Sequence, residues 1–286
     1  MSACQKVLQL KTIGGLCSRL RVILPAIGYC EKTNRRLIIG WGPHGNKKVN
    51  NGRVEALFGD MWLHPFEEDN VSAYVSGCKD RIGIRDSREE IILNTCHPEK
   101  LSPEMLDEPV SEYMNRLTPT EELQNLINEV QIPEFCVGVI IRQSVAQPGA
   151  ESSEWVIERM QVIKDAAPHV TFYLYSDTRL ASRAVRQRFS VVEQIREYKY
   201  NRRGIMESAA SLYHFAQCQW ILGSFHSSYA QVASWMQSHG PDPSVWNKFQ
   251  SLKQEEKVDP LEWPVGSNYE DSRRPANGWR DALCMH

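Results

Sequence analysis

The sequence predicts an α/β protein built on two parallel sheets. Three observations carry that expectation. Short, nearly continuous apolar runs recur at residues 6–10, 36–40, 135–141, 170–175 and 219–223, as suits strands covered on both faces. Stretches of helical periodicity separate them. Glycine- or serine-rich turns follow several of the runs, at 13–15 and 223–228. Strand, turn, helix and strand in that order make a βαβ unit.

The elements follow in order. The first strand, 6–10, leads through Gly14-Gly15 into a helix reaching about residue 32, with Leu20, Ile23, Leu24, Ile27 and Gly28 on one face. Pro25 inside it predicts a kink or a late start. A strand follows at 36–40. Residues 42–52 are polar and glycine-rich and read as a surface loop, and 53–58 as a short helix. Residues 90–94 form the next strand-like run, after which Pro98, Pro103 and Pro109 break the chain into short pieces. Thr118 can cap a helix that takes Pro119 at its first position and Glu121 at its third. From residue 133 the alternation repeats: strand 135–142, loop 143–151, helix 153–166, strand 170–175, helix 178–189, strand 191–198, helix 204–217, strand 219–223, helix 229–237. Such repetition argues for a second Rossmann-like sheet. The expected domains are 1–132, 133–238 and a C-terminal segment, 239–286, that packs back on the body.

Composition narrows the function classes. With 33 basic and 35 acidic residues in 286, the net charge is -2. A nucleic-acid coat, which needs a basic surface, is excluded as an expectation. No basic stretch with an apolar core opens the chain, and no apolar run approaches the ~20 residues that cross a bilayer. A soluble, cytoplasmic protein without a membrane span is expected. The eight cysteines are scattered with no C-x-x-C pair, so zinc-ribbon chemistry is disfavoured and free thiols are expected. Cys136 and Cys218 lie in or beside apolar runs and read as small buried hydrophobes.

Four places are candidates for chemistry. Gly14-Gly15 lets the backbone turn tightly and approach a ligand; the plain alternative is a tight turn. Arg19 and Arg21 follow at the helix start, where cations oppose the helix dipole; they point either to an anion or to solvent. Arg142 ends a buried strand, where ligands of open α/β sheets gather and where a guanidinium can fork onto phosphate. Glu151 and Glu154 are the nearest acids able to act as a base. Ser224, His226, Ser227 and Ser228 lie between a strand end and a helix start, suited to holding an anion or to simple capping. Arg202 and Arg203 sit in a basic loop. The P-loop, G-x-G-x-x-G, H-E-x-x-H, G-x-S-x-G and Asp-x-Asp patterns are all missing.

Taken together, Ile13-Gly-Gly-Leu-Cys-Ser-Arg-Leu-Arg21, Leu37-Ile-Ile-Gly-Trp41, Gly138-Val-Ile-Ile-Arg142, Phe172-Tyr-Leu-Tyr-Ser-Asp177 and the run Cys218 to Ala233 resemble, in order and spacing, the α1,2/α1,6/protein-O-fucosyltransferase superfamily. The resemblance implies a GT-B architecture of two Rossmann-like domains facing a cleft. It implies an inverting glycosyltransferase with GDP-fucose as donor, a hydroxyl acceptor such as a glycan, no metal and no other cofactor. It implies Arg142 on the β-phosphate, Ser227 and Ser228 on the pyrophosphate, Gly14 and Gly15 in the turn and Glu151 as base. Glu154 is the alternative base, and Arg19, Asp177, Arg202, Ser224 and His226 complete the expected donor-binding set. The chain departs from the family pattern at Ile140, where His is usual, at Gln143, where the α1,6 branch has a second arginine, and at Ser18, where Asn is common. An acid usual before the serine-rich turn is Ser211 here, with Glu207 one turn earlier. A transferase for another nucleoside diphosphate sugar, or a non-catalytic nucleotide- or glycan-binding protein, are the alternatives.

Overall fold

The structure is a computed structural model. It describes residues 6–12, 14–41, 58–63, 67–69, 90–95, 113–114, 117–141, 153–194, 201–223 and 228–236. The chain divides into two compact units, Met1–Asn125 with Lys199–Ala209, and Leu126–Tyr198 with Ala210–His286.

The first unit holds a four-stranded parallel sheet. β1 (Val7–Thr12) leads into α1 (Leu16–Thr33), and β2 (Arg36–Gly40) returns beside it. Next come α2 (Phe58–Met61), β3 (Trp62–Leu63), β4 (Glu67–Asp69) and β5 (Glu90–Thr95). The order across the sheet is β4-β2-β1-β5. β1 is central, with Leu8 paired to Leu37 on one side and to Ile91 on the other. The chain therefore reverses direction of travel between β1 and β5, the kind of switch point at which open sheets bind ligands.

α1 is one helix through Pro25, starting at Leu16, so the expected late start does not occur. Leu20, Ile23, Leu24, Ile27 and Gly28 are all buried as their spacing predicts. Gly28 is required by packing: a Cβ there would lie 2.3 Å from the Tyr113 hydroxyl. Asn34 ends the helix in the left-handed conformation, φ 51° and ψ 48°, its N–H donating to the carbonyls of Cys30 and Glu31.

β6 (Thr118–Pro119) corrects the expected helix start. These two residues pair antiparallel with β3 instead of capping. Thr120 takes that role for α3 (Glu121–Asn128), accepting from the Leu123 N–H at 3.3 Å and donating its hydroxyl proton to the Asp60 carbonyl at 2.8 Å. Glu121 and Glu122 then fall in the first helical turn, where acids favour the dipole.

The second unit repeats the plan. Its elements are β7 (Cys136–Ile141), α4 (Ser153–Ala166), β8 (Thr171–Ser176), α5 (Arg179–Arg186) and β9 (Val191–Val192). They are followed by α6 (Arg202–Gln217), whose first turns belong to the first unit, then β10 (Trp220–Gly223) and α7 (Ser228–Met236). The sheet order is β10-β7-β8-β9, all parallel. One face packs Val137, Val139 and Ile141 against Val156, Met160 and Ile163 of α4 and Ala181 and Val185 of α5. The other stacks Tyr173 edge-on against Phe215 of α6 at 5.1 Å, with Tyr229 of α7 at 6.1 Å from Phe215. Thr178 caps α5 through the Ala181 N–H. Among the described residues no helix is long and apolar enough to cross a membrane.

Candidate functional site

In the second unit the switch point lies between β7 and β10, where Gly223 pairs with Ile140. Two segments more than eighty residues apart in sequence therefore leave the sheet from adjacent strand ends. One begins at Arg142, the other at Ser224. Arg142, Glu151, Ser224, His226 and Ser227 lie outside the described residues.

The neighbouring residues are well defined. Ser228 is the first residue of α7 and is half-buried. Gly223 admits that helix closely, since a Cβ there would stand 2.7 Å from the Ala230 Cβ. Tyr229 is buried and stacked on Tyr175, with centroids 4.0 Å apart and planes 14° from parallel. The strand end of β8 and the start of α7 are thus locked together by one ring pair. Asp177 follows β8, its N–H donating to the Ile141 carbonyl at 3.3 Å. Glu154 is exposed in the first turn of α4. Ile140 is fully buried in β7, so the position usual for histidine in the family carries core packing here.

In the first unit Gly14 has φ +95°, a conformation that favours glycine. Gly15 is the N-cap of α1 with φ -75° and ψ 177°, which any residue adopts, and a Cβ built on it meets no described atom within 4 Å. Neither conformation nor described packing demands a glycine at position 15. Arg19 is not turned to solvent. It is 1% exposed. Its Nε donates to the Gly14 carbonyl at 2.9 Å, its Nη1 to the Trp41 carbonyl, and its guanidinium lies 4.8 Å from the Trp41 ring centroid. Burial brings its pKa down to about 10, so it remains a cation at neutral pH. Arg21 is half-buried, with Nε shielded and lacking a hydrogen-bond partner among the described residues.

Arg202 and Arg203 are not in a loop; they form the first turn of α6. Asn201 caps it, accepting from the Gly204 N–H at 2.8 Å. Arg202 forks onto the Glu122 carboxylate, Nη2 to Oε2 at 2.7 Å, and approaches Asp60 at 3.4 Å. Arg203 binds the buried carboxylate of Glu207 at 2.8 Å. These partners offset the cost of cations at a helix N-terminus.

Sequence reasoning missed one buried polar cluster. His214 of α6 is fully buried, with Nε2 2.8 Å from the Ile127 carbonyl and Nδ1 2.9 Å from the Tyr173 hydroxyl, which is also 2.9 Å from Ser211 Oγ. A carbonyl only accepts, so Nε2 carries a proton. Burial holds the histidine pKa below its ordinary 6.5. A neutral ring takes the Tyr173 proton at Nδ1, and Ser211 donates to Tyr173. Burial likewise pushes the Tyr173 hydroxyl well above its usual pKa. The signal in the sequence was faint: a polar residue inside an apolar helix face. The four described cysteines, Cys17, Cys30, Cys136 and Cys218, are buried. For Cys136 and Cys218 this agrees with their reading as small hydrophobes.

The fold is that of GT-B fucosyltransferase structures. NodZ alpha-1,6-fucosyltransferase soaked with GDP-fucose matches with a TM-score of 0.58 at 14% identity, over 81% of this chain and 93% of that one. FUT1 of Arabidopsis thaliana, a mutant in complex with GDP, matches with 0.55 at 10% identity, over 82% of this chain and 69% of that one. POFUT1 in complex with GDP-fucose matches with 0.53 at 8% identity, over 82% and 95%. No protein-family model and no curated protein sequence matches the chain.

Proposed function

We propose that this chain is a fucosyltransferase that moves fucose from GDP-fucose to a hydroxyl acceptor, most simply a glycan, with inversion and without a metal. The observation that carries the reading is the pairing of β7 with β10, whose adjacent ends lead into Arg142 and into the serine-rich segment. The acceptor oxygen attacks the anomeric carbon as the bond to the β-phosphate oxygen breaks. GDP leaves with that electron pair. Arg142, with the N–H groups and hydroxyls of Ser227 and Ser228, neutralises the charge that develops on the diphosphate. Glu151, or else Glu154, takes the acceptor proton. Buried Ile140 in place of histidine supports a second reading, a non-catalytic nucleotide-sugar binder of the same fold.

A thermal-shift panel with GDP, UDP, ADP and dTDP tests the donor class. A ligand at a hundred times its Kd adds about 2.7 kcal/mol to the native state, a rise of roughly 5–10 °C for a chain of this size. GDP alone is expected to give it. GDP release from GDP-fucose, dependent on acceptor, then separates enzyme from binder. Arg142→Ala is expected to abolish most turnover with Tm unchanged, and wild-type turnover in that variant refutes the assignment.

A further inference from the structure

We propose that Cys136 and Cys218 are a latent disulfide site: oxidation joins their sulfurs and staples the start of β7 to the turn between α6 and β10. The two thiols are 82 residues apart in sequence, 3.9 Å apart in space, and both in the second unit. The backbone holds each of them in place. Cys136 is the first residue of β7, and its carbonyl accepts from the Gln219 N–H at 2.9 Å. Cys218 follows α6 directly, its N–H donating to the Phe215 carbonyl at 3.1 Å. Gly138 shares a sheet face with Cys136, two residues along β7. Cys218 Sγ stands 3.4 Å from where a Gly138 Cβ would be, so it lies over that same face.

Bonded sulfurs are ~2.05 Å apart, so the pair must close by about 1.9 Å. The two backbones are already hydrogen-bonded neighbours, and the remaining gap lies between side chains. The oxidant is a small-molecule disulfide. One cysteine thiolate attacks it and expels a small thiol; the other thiolate then displaces the second. Each leaving sulfur takes up a proton that a cysteine gave up. Two protein thiols are oxidised to one disulfide, and the small disulfide is reduced to two thiols. Burial sets the condition for this exchange. Cys136 is 0% exposed and Cys218 4%. The thiolate is the attacking form, and burial holds the Cys218 thiol well above its usual pKa. Attack in the closed unit is therefore suppressed, and the bond forms when the α6–β10 turn opens locally and closes again. The bond then closes a ring of chain that includes residues 199–209, which group with the first unit. A ring of that length removes much freedom from the unfolded chain.

The test uses the full chain. It is held with glutathione disulfide in urea just below the unfolding midpoint, where the turn opens. It is then alkylated with iodoacetamide and digested without reductant. Mass spectrometry is expected to find the Cys136 and Cys218 peptides joined, and dithiothreitol to part them. With the urea removed, the joined form is expected to melt roughly 5–15 °C above the reduced one. The same oxidation of Cys136→Ala and of Cys218→Ala is expected to give no such rise, which sets aside bonds among the other six cysteines; an equal rise in them overturns the staple. Cys218 recovered alkylated, capped by glutathione or joined to any other cysteine overturns the site. So does a joined form that melts no higher than the reduced protein, since the bond would then strain the fold. The peptide mapping needs no variant, so it decides the site even if both alanine variants fail to fold. Neither readout involves a nucleotide sugar, so failure of the transferase reading leaves the result untouched.

Discussion

Gly138→Ala offers a sharp test of the packing beneath the proposed donor edge. Gly138 lies in the middle of β7, and a Cβ there would stand 2.3 Å from Phe215 Cδ1 and 2.6 Å from Cε1. Ordinary contact begins at 3.4 Å, so something must move by about 1 Å. The ring has little freedom to retreat: Tyr173, Tyr229 and Tyr175 surround it at 5.1, 6.1 and 6.4 Å between centroids. Overpacking of this kind costs about 1–3 kcal/mol. Removing a strand glycine returns roughly 0.5–1 kcal/mol through the unfolded chain. The net expectation is a loss of about 1 kcal/mol, read as a lower urea midpoint and a Tm lower by about 2–5 °C. The clash should be relieved in Gly138→Ala/Phe215→Leu, so the double variant should be more stable than the two single losses imply by at least about 1 kcal/mol. A single variant within 0.5 kcal/mol of wild type, or strict additivity, would refute the reasoning.

Burial holds His214 below the histidine value of 6.5, so the unfolded chain protonates first as pH falls. Native stability should decline as pH drops below about 6.5, and His214→Phe should flatten that slope in thermal scans between pH 7 and 5. Arg202 beside Glu122 holds that carboxyl below its ordinary 4.5. Its contribution should be present above that value and lost as pH falls through the lowered one. The pair is exposed, so a double-mutant cycle of Arg202→Ala and Glu122→Ala should give only about 0.2–1 kcal/mol, shrinking in 1 M salt. Gly15→Ala should change stability by less than about 1 kcal/mol, since its backbone is extended and the space beside it is open. Turnover should nevertheless drop about tenfold or more if the reacting groups are displaced; unchanged turnover would show that the glycine is a plain turn residue.

The strands were legible because burial on both faces writes itself as continuous apolar runs: 136–141, 171–176 and 220–223 are found within a residue or two of expectation. Helix ends were less so. Thr118 and Thr120 are equally good caps in sequence, and only the pairing of Thr118 with Leu63 decides between them. The polar residues were hardest. Arg19 at a helix start reads as solvent-exposed or anion-seeking, because the acceptors it meets are carbonyls, which no side-chain pattern records. His214 and Glu207 look like ordinary members of a helix until Ile127, Tyr173 and Arg203 are brought to them.

The way the chain is apportioned between the two units bears on how this protein can be taken apart. Residues 199–209 belong with the first unit, although they follow the first seventy-odd residues of the second. A fragment cut after Asn125 would therefore lack Arg202, and Glu122 and Asp60 would lose the cation that bridges them. A chimera exchanging one half with a relative needs three junctions, near 125, 198 and 209, the last inside an unbroken helix. Recombination at a single crossover, in the laboratory or in a genome, would separate α6 from its own anchoring acids. The two halves are in this sense inherited together.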